Sequence, residues 1–149
     1  MNLEQMIELL NQDLQREWAH MRFYLFHASR VQGLHCHEYK ELFLKEAASE
    51  MGHVTEFSDM IVGLGGTPVN GWDATQPFKE HLTKPRDIIE EALKMESEVV
   101  DNYVQRMAQA VEMGGTDGAW IEIFYEKQVE HSREDVDHFR QILRGICHA

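Results

Sequence analysis

Four long stretches of this chain repeat apolar residues every three to four positions, and the breaks between them are short, long and short. The first stretch runs from about Leu3 to Val31, with Ile7, Leu10, Leu14, Met21, Tyr24, Leu25 and Ala28 in helical register, and Gly33 follows as a stop. The second runs from about His37 to Leu64 through Leu42, Phe43, Ala47, Val54, Phe57 and Ile61, and Gly65-Gly66-Thr67-Pro68 ends it. The third spans roughly Arg86 to Met113, with Ile89, Ala92, Leu93, Val99, Val100, Tyr103, Met107 and Val111 in register, and the fourth about Ala119 to Ile146, with Gly114-Gly115-Thr116-Asp117-Gly118 as the turn between them. From Gly65 to Pro85 no long period survives, and Gly71, Trp72, Pro77 and Pro85 punctuate the segment. That segment is too long for a tight hairpin, so it is expected to cross from one end of the helices to the other. The pattern predicts an all-α, four-helix bundle with one long crossover between the second and third helices, forming a single domain over 1–149.

Charge narrows the function classes. Acidic residues outnumber basic ones 26 to 14, for a formal charge of −12, a field that repels nucleic acid and anionic membranes and attracts cations. The sequence holds no apolar run of the ~18 residues that a membrane span needs, and its start, Met1-Asn2-Leu3-Glu4-Gln5, does not resemble a signal peptide. Cys36 and Cys147 make no recognisable disulfide framework, so a reducing, cytoplasmic setting is expected. His35-Cys36-His37 falls where a turn is expected and lacks further spaced ligands, which speaks against a metal site there.

The informative residues are carboxylates that interrupt the apolar stripes, because a buried unpaired charge is expensive. Glu17 follows Leu10 and Leu14 and precedes Met21 and Tyr24; Glu50 lies between Ala47 and Val54; Glu96 sits between Leu93 and Val100. One such Glu is ordinarily a stripe-edge residue that reaches water or pairs with Lys or Arg. Three of four helices carrying one near the middle, with few cations on the same stripes, favours a bound metal ion. Glu50-Met51-Gly52-His53 adds an imidazole one turn from a carboxylate, close enough for both to serve one metal or two neighbours. With 18 Glu and 9 His in 149 residues, chance alone yields about one Glu-x-x-His, and this chain has two, the other being Glu17-Trp18-Ala19-His20. His20 flanks the stripe and is read as a surface or packed residue, with a role as an extra ligand left open. Gln128 falls on or near the stripe of Phe124, Val129, Val136 and Phe139.

These segments resemble the ferritin family. Glu17 through Tyr24 is similar to the first helix of ferritins and bacterioferritins, where Tyr follows Glu by seven residues, and Glu50-Met51-Gly52-His53 is similar to their second-helix Glu-x-x-His. Leu93-Lys94-Met95-Glu96 resembles the third-helix carboxylate segment, and Phe124 through His131 the fourth-helix stretch of non-haem bacterial ferritins. The resemblance runs from about Leu3 to Leu143. It implies a ferritin-like di-iron centre that oxidises Fe(II) with dioxygen, or with hydrogen peroxide, for iron storage or detoxification, with two Fe per subunit. In that reading Glu17 and His53 each serve one iron, Glu50 bridges the two, and Glu96 serves the second. Gln128 binds or orients the oxidant, Tyr24 donates an electron or hydrogen bond, and Glu130 belongs to an outlying iron site. Ser49, Lys127 and His131 stand where that outlying site usually has carboxylates.

No Glu-x-x-His occurs on the fourth helix, which sets the chain apart from bacterioferritins and rubrerythrins. A typical ferritin also continues into a short fifth helix, which is not expected here. The implied partners are Fe(II), the oxidant and further copies of the chain in a homo-oligomer, with no nucleic acid and no membrane. Two alternatives stand beside this reading. A haem-carrying bacterioferritin would use Met51 as an axial ligand, and a metal-free helical interaction module would need Glu17, Glu50 and Glu96 paired or solvated. A DNA-protecting mini-ferritin is disfavoured by the ligand pattern and the acidic charge.

Overall fold

The computed structural model describes residues 1–71 and 78–146; the expectations placed on Trp72, Pro77, Cys147 and the chain end at Ala149 lie outside the described residues. The described residues form four helices and no strand: α1 (Leu3–Arg30), α2 (Cys36–Gly63), α3 (Pro85–Met113) and α4 (Gly115–Ile146). None of these helices is long and apolar enough to cross a membrane. They fall into two compact units, Glu4–Ile88 and Ile89–Ala149 with Met1–Leu3.

In the first unit α1 and α2 run antiparallel. Glu17 meets His53 midway, while Ile7, near the start of α1, lies under Gly66, just past the end of α2. Met6, Leu10, Leu14 and Phe23 on α1, and Phe43, Phe57 and Ile61 on α2, are buried at helical spacing. Burial of such side chains is worth roughly 1.5–3 kcal/mol each before the entropy of ordering is charged against it. Leu25, expected on the α1 stripe, is instead about half exposed. It directly follows buried Tyr24, and the 100° step per residue carries it round the helix.

The crossover leaves α2 and travels along α1. Asn11 fastens its start: the side-chain amide donates to the Thr67 carbonyl (3.0 Å), and its oxygen accepts from the Val69 N–H (2.9 Å). Further on, the Arg22 guanidinium donates to the Gly71 carbonyl. Gly71 has φ +82°, and a Cβ there would stand 2.5 Å from the Trp18 indole, so only glycine suits both the backbone and the space. Phe78 then packs edge-on to Phe23 (ring centres 5.9 Å apart), and the Gln32 N–H donates to the Thr83 carbonyl (2.8 Å) beyond the end of α1. The described parts of the crossover thus touch α1 from Asn11 to just past its end, in keeping with the end-to-end crossing expected from the sequence.

The second unit pairs α3 with α4, also antiparallel. Tyr103 and Tyr125 are both fully buried with ring centres 5.3 Å apart, and Ala110 and Gly118 approach backbone to backbone. Val111, placed on the α3 stripe by the sequence pattern, is more than half exposed. The turn between these helices is shorter than expected. Gly114 and Gly115 both take positive φ (72° and 69°), and α4 starts at Gly115 rather than near Ala119. Two left-handed residues reverse the chain in so little space that Thr116 and Asp117 are already helical, and Asp117 suits the positive end of the helix dipole.

Candidate metal centre

Helix packing puts two carboxylates and an imidazole in one buried place in the α1–α2 unit. His53 Nδ1 lies 3.3 Å from Glu50 Oε2 and 3.4 Å from Glu17 Oε2. Glu17, Glu50 and His53 are 2%, 1% and 4% exposed, so water does not solvate their charges. One ligand atom from each of the three lies within 4.8 Å of the others. The sequence dictates this locally: Glu50 and His53 are one turn apart on α2, and the antiparallel register brings the middle of α1 level with them.

Electrostatics within the cluster favour a charged Glu17. Burial alone would raise its carboxyl, but hydrogen bonds from Glu50 and His53, with the charges of His53 and His20, hold it down to about 2. A hydrogen bond between two carboxyl groups requires a proton on one of them. Two buried carboxyl groups this close need a proton or a cation between them. Carboxylate oxygens with one imidazole are a donor set suited to iron or manganese.

His20 is 6% exposed and sits one turn along α1 from Glu17, facing inward rather than flanking the stripe as the sequence suggests. Burial pushes its imidazole down to about 4, against the upward pull of Glu17 and with Arg16 and His53 adding to the fall. Tyr24 is fully buried, two turns beyond Glu17, with its ring edge-on to Phe23 at 5.4 Å. In the α3–α4 unit, Glu96 and Gln128 are each 1% exposed. The register set by Tyr103–Tyr125 and Ala110–Gly118 places Gln128 level with residue 100, about one helical turn from Glu96. Glu130, assigned by resemblance to an outlying site, is exposed, as are Ser49, Lys127 and His131. Among the described residues Glu130 gathers no cluster of three ligand-type side chains.

Asp13 and Glu46, both buried, were not singled out by the sequence pattern. Each lies one turn before a stripe carboxylate, Glu17 or Glu50, and that i, i+4 spacing was the available signal.

A family model of the ferritin-like domain matches residues 7–146. The chain belongs to the ferritin-like family. Its fold is the ferritin-like four-helix bundle, and solved structures agree. A ferritin-like di-iron-carboxylate protein from Bacillus anthracis str. Ames is 25% identical, with a TM-score of 0.80 over 95% of this chain and 96% of that one. A dodecameric thioferritin, the bacterioferritin-related protein from Bacteroides fragilis, is 16% identical with a TM-score of 0.86, covering 99% of this chain and 89% of that one. A Mycobacterium tuberculosis bacterioferritin is 23% identical with a TM-score of 0.79, covering 94% and 84%. No curated protein sequence matches the chain. The carboxylate–histidine cluster of this ferritin-like chain is a candidate iron site.

Proposed function

We propose that this ferritin-like protein binds two Fe(II) per chain and oxidises them with dioxygen, as a step in iron storage or detoxification. One observation carries the reading: Glu17, Glu50 and His53 from two helices converge, almost wholly buried, with ligand atoms within 4.8 Å. A single imidazole can neutralise only one of two buried carboxylates, and a divalent cation balances the rest. Two Fe(II) taken as substrate give one electron each to dioxygen, and with two protons the product is hydrogen peroxide.

The roles follow from position and from the family resemblance. Glu17 and His53 hold one iron and Glu50 bridges to the second. Glu96, buried on α3, is assigned to the second iron, and Gln128, buried on α4, to orienting the oxidant. Tyr24, buried on α1, is assigned to supplying an electron or a hydrogen bond. Glu130, at the surface, is assigned by the resemblance to an outlying iron site. The chain works as a homo-oligomer in this reading. The B. fragilis relative is a dodecamer, and α1 and α2 expose the apolar side chains Leu25, Leu44, Met51 and Val62.

The test is a stopped-flow addition of Fe(II) to metal-free protein in air. Fast oxidation that saturates near two irons per chain, and that Glu50→Ala abolishes, is the expected result. Oxidation no faster than in buffer, and indifferent to the substitution, would leave a metal-free helical module.

A further inference from the structure

The α1–α2 unit contains two Glu-x-x-His motifs that face each other in reverse. Glu17 and His20 occupy one turn of α1; Glu50 and His53 occupy one turn of α2. Because the helices are antiparallel, each glutamate lies level with the other helix's histidine. Glu17 is 3.4 Å from His53, and a ring nitrogen of His20 lies within 4.8 Å of a Glu50 carboxylate oxygen. All four side chains are at least nine-tenths buried. Glu50 also lies 3.3 Å from His53, so it neighbours both imidazoles and is the shared group of a nearly two-fold arrangement.

We propose that His20 is a direct ligand of the second metal ion, giving each half of the dinuclear centre its own imidazole. The inference rests on the iron-binding reading above. Ferritin-like di-iron sites draw one Glu from each of two helices and a Glu-x-x-His from each of the other two. In this chain α4 has no such motif, and α1 supplies one. The two imidazoles therefore come from adjacent antiparallel helices. Two nitrogen donors in place of one make the centre a softer site, better suited to later divalent metals than an all-oxygen position.

Cobalt(II) is a suitable probe because it needs no oxidant and leaves turnover aside. Wild-type protein is titrated with Co(II), and X-ray absorption of the loaded protein counts imidazoles around the metal. The expected count is two imidazoles for two Co(II), one on each. In His20→Gln the count falls to one, and the weaker Co(II) loses affinity by about tenfold or more, since even an outer-shell partner of a metal ligand is worth that much. One imidazole per two Co(II) in the wild type, with His20→Gln binding both ions unchanged, overturns the role of His20 while leaving the iron-binding reading intact. A wild type that binds no Co(II), with Glu50→Ala indistinguishable from it, overturns both. The wild-type count needs no variant, so a misfolded substitution does not spare the proposal.

Discussion

In the α1–α2 unit four ligand-type side chains, Glu17, His20, Glu50 and His53, share one buried layer, whereas the middle of the α3–α4 unit is filled by the rings of Tyr103 and Tyr125. Asp13, His27 and Glu46 add further buried polar groups to the first unit; the second buries Glu96, Arg106, Gln128 and Ser132. Two antiparallel helix pairs of similar length thus spend their interiors differently. Aromatic packing stabilises a fold without a bound cation, because it removes apolar surface from water and a tyrosine hydroxyl needs only a hydrogen-bond partner. A layer of carboxylates and imidazoles does the reverse until a cation or protons balance it. The comparison teaches that one pair gathers ligand-type side chains into a single buried cluster, while the other is mainly packing with single buried polar groups.

The sharpest way to break this contrast is Glu50→Ala, which removes the group common to both proposed metal positions. Metal binding by the α1–α2 unit should vanish, read as loss of saturable Co(II) or Fe(II) uptake. Saturation persisting at two ions would place the ligands elsewhere. Tyr103→Ala, by contrast, should act through packing, lowering the stability of metal-free protein by about 3–5 kcal/mol in a denaturant titration, the usual range for deleting a buried aromatic ring. An effect below about 1 kcal/mol would show that the site collapses around the gap.

Gly71→Ala tests the tie between crossover and α1. A positive φ and an indole 2.5 Å from the new Cβ make the substitution strained, at a cost of about 1–3 kcal/mol, also read by denaturation. An unchanged midpoint would mean that the crossover does not depend on this contact.

Smallest per step is a pH slope. His20 has a folded-state value near 4 against an ordinary 6.5, so between those values the unfolded chain binds a proton that the folded chain refuses. Stability of metal-free protein should therefore fall as pH drops from 6.5 towards 4, by at most about 1.4 kcal/mol per unit for one group. Glu17 extends the same trend below 4.5, because its folded-state value is also depressed. In His20→Gln the slope between 6.5 and 4 should flatten; a slope as steep as in the wild type would assign it to other groups.

Much of this was legible in the residues because helices impose a strict period. The four stripes, the long crossover and the inward placement of Glu17, Glu50 and Glu96 follow from that period, and each is buried as expected. What escaped lies at stripe edges. Leu25 and Val111 have the right spacing yet face water, while His20, Asp13 and Glu46 are covered. Whether an edge residue is buried depends on what packs against it, and a helical wheel holds no information about the neighbour. The α3–α4 turn escaped for a local reason. Five turn-forming residues read as a loop, but two glycines with positive φ complete the reversal and release the other three to the helix.

The crossover's fastening has a kinetic consequence. Asn11, Arg22 and Phe23, which grip it, belong to the same rod as Glu17 and His20. Whatever loosens that rod loosens both the strap and the ligands, and linkage makes the influence mutual. An ion held by α1 should slow hydrogen–deuterium exchange at the Val69 amide, which donates to Asn11, and cutting the Asn11 tie should speed the ion's departure. The release rate of the cargo would then be set partly by how firmly a strap grips the same helix.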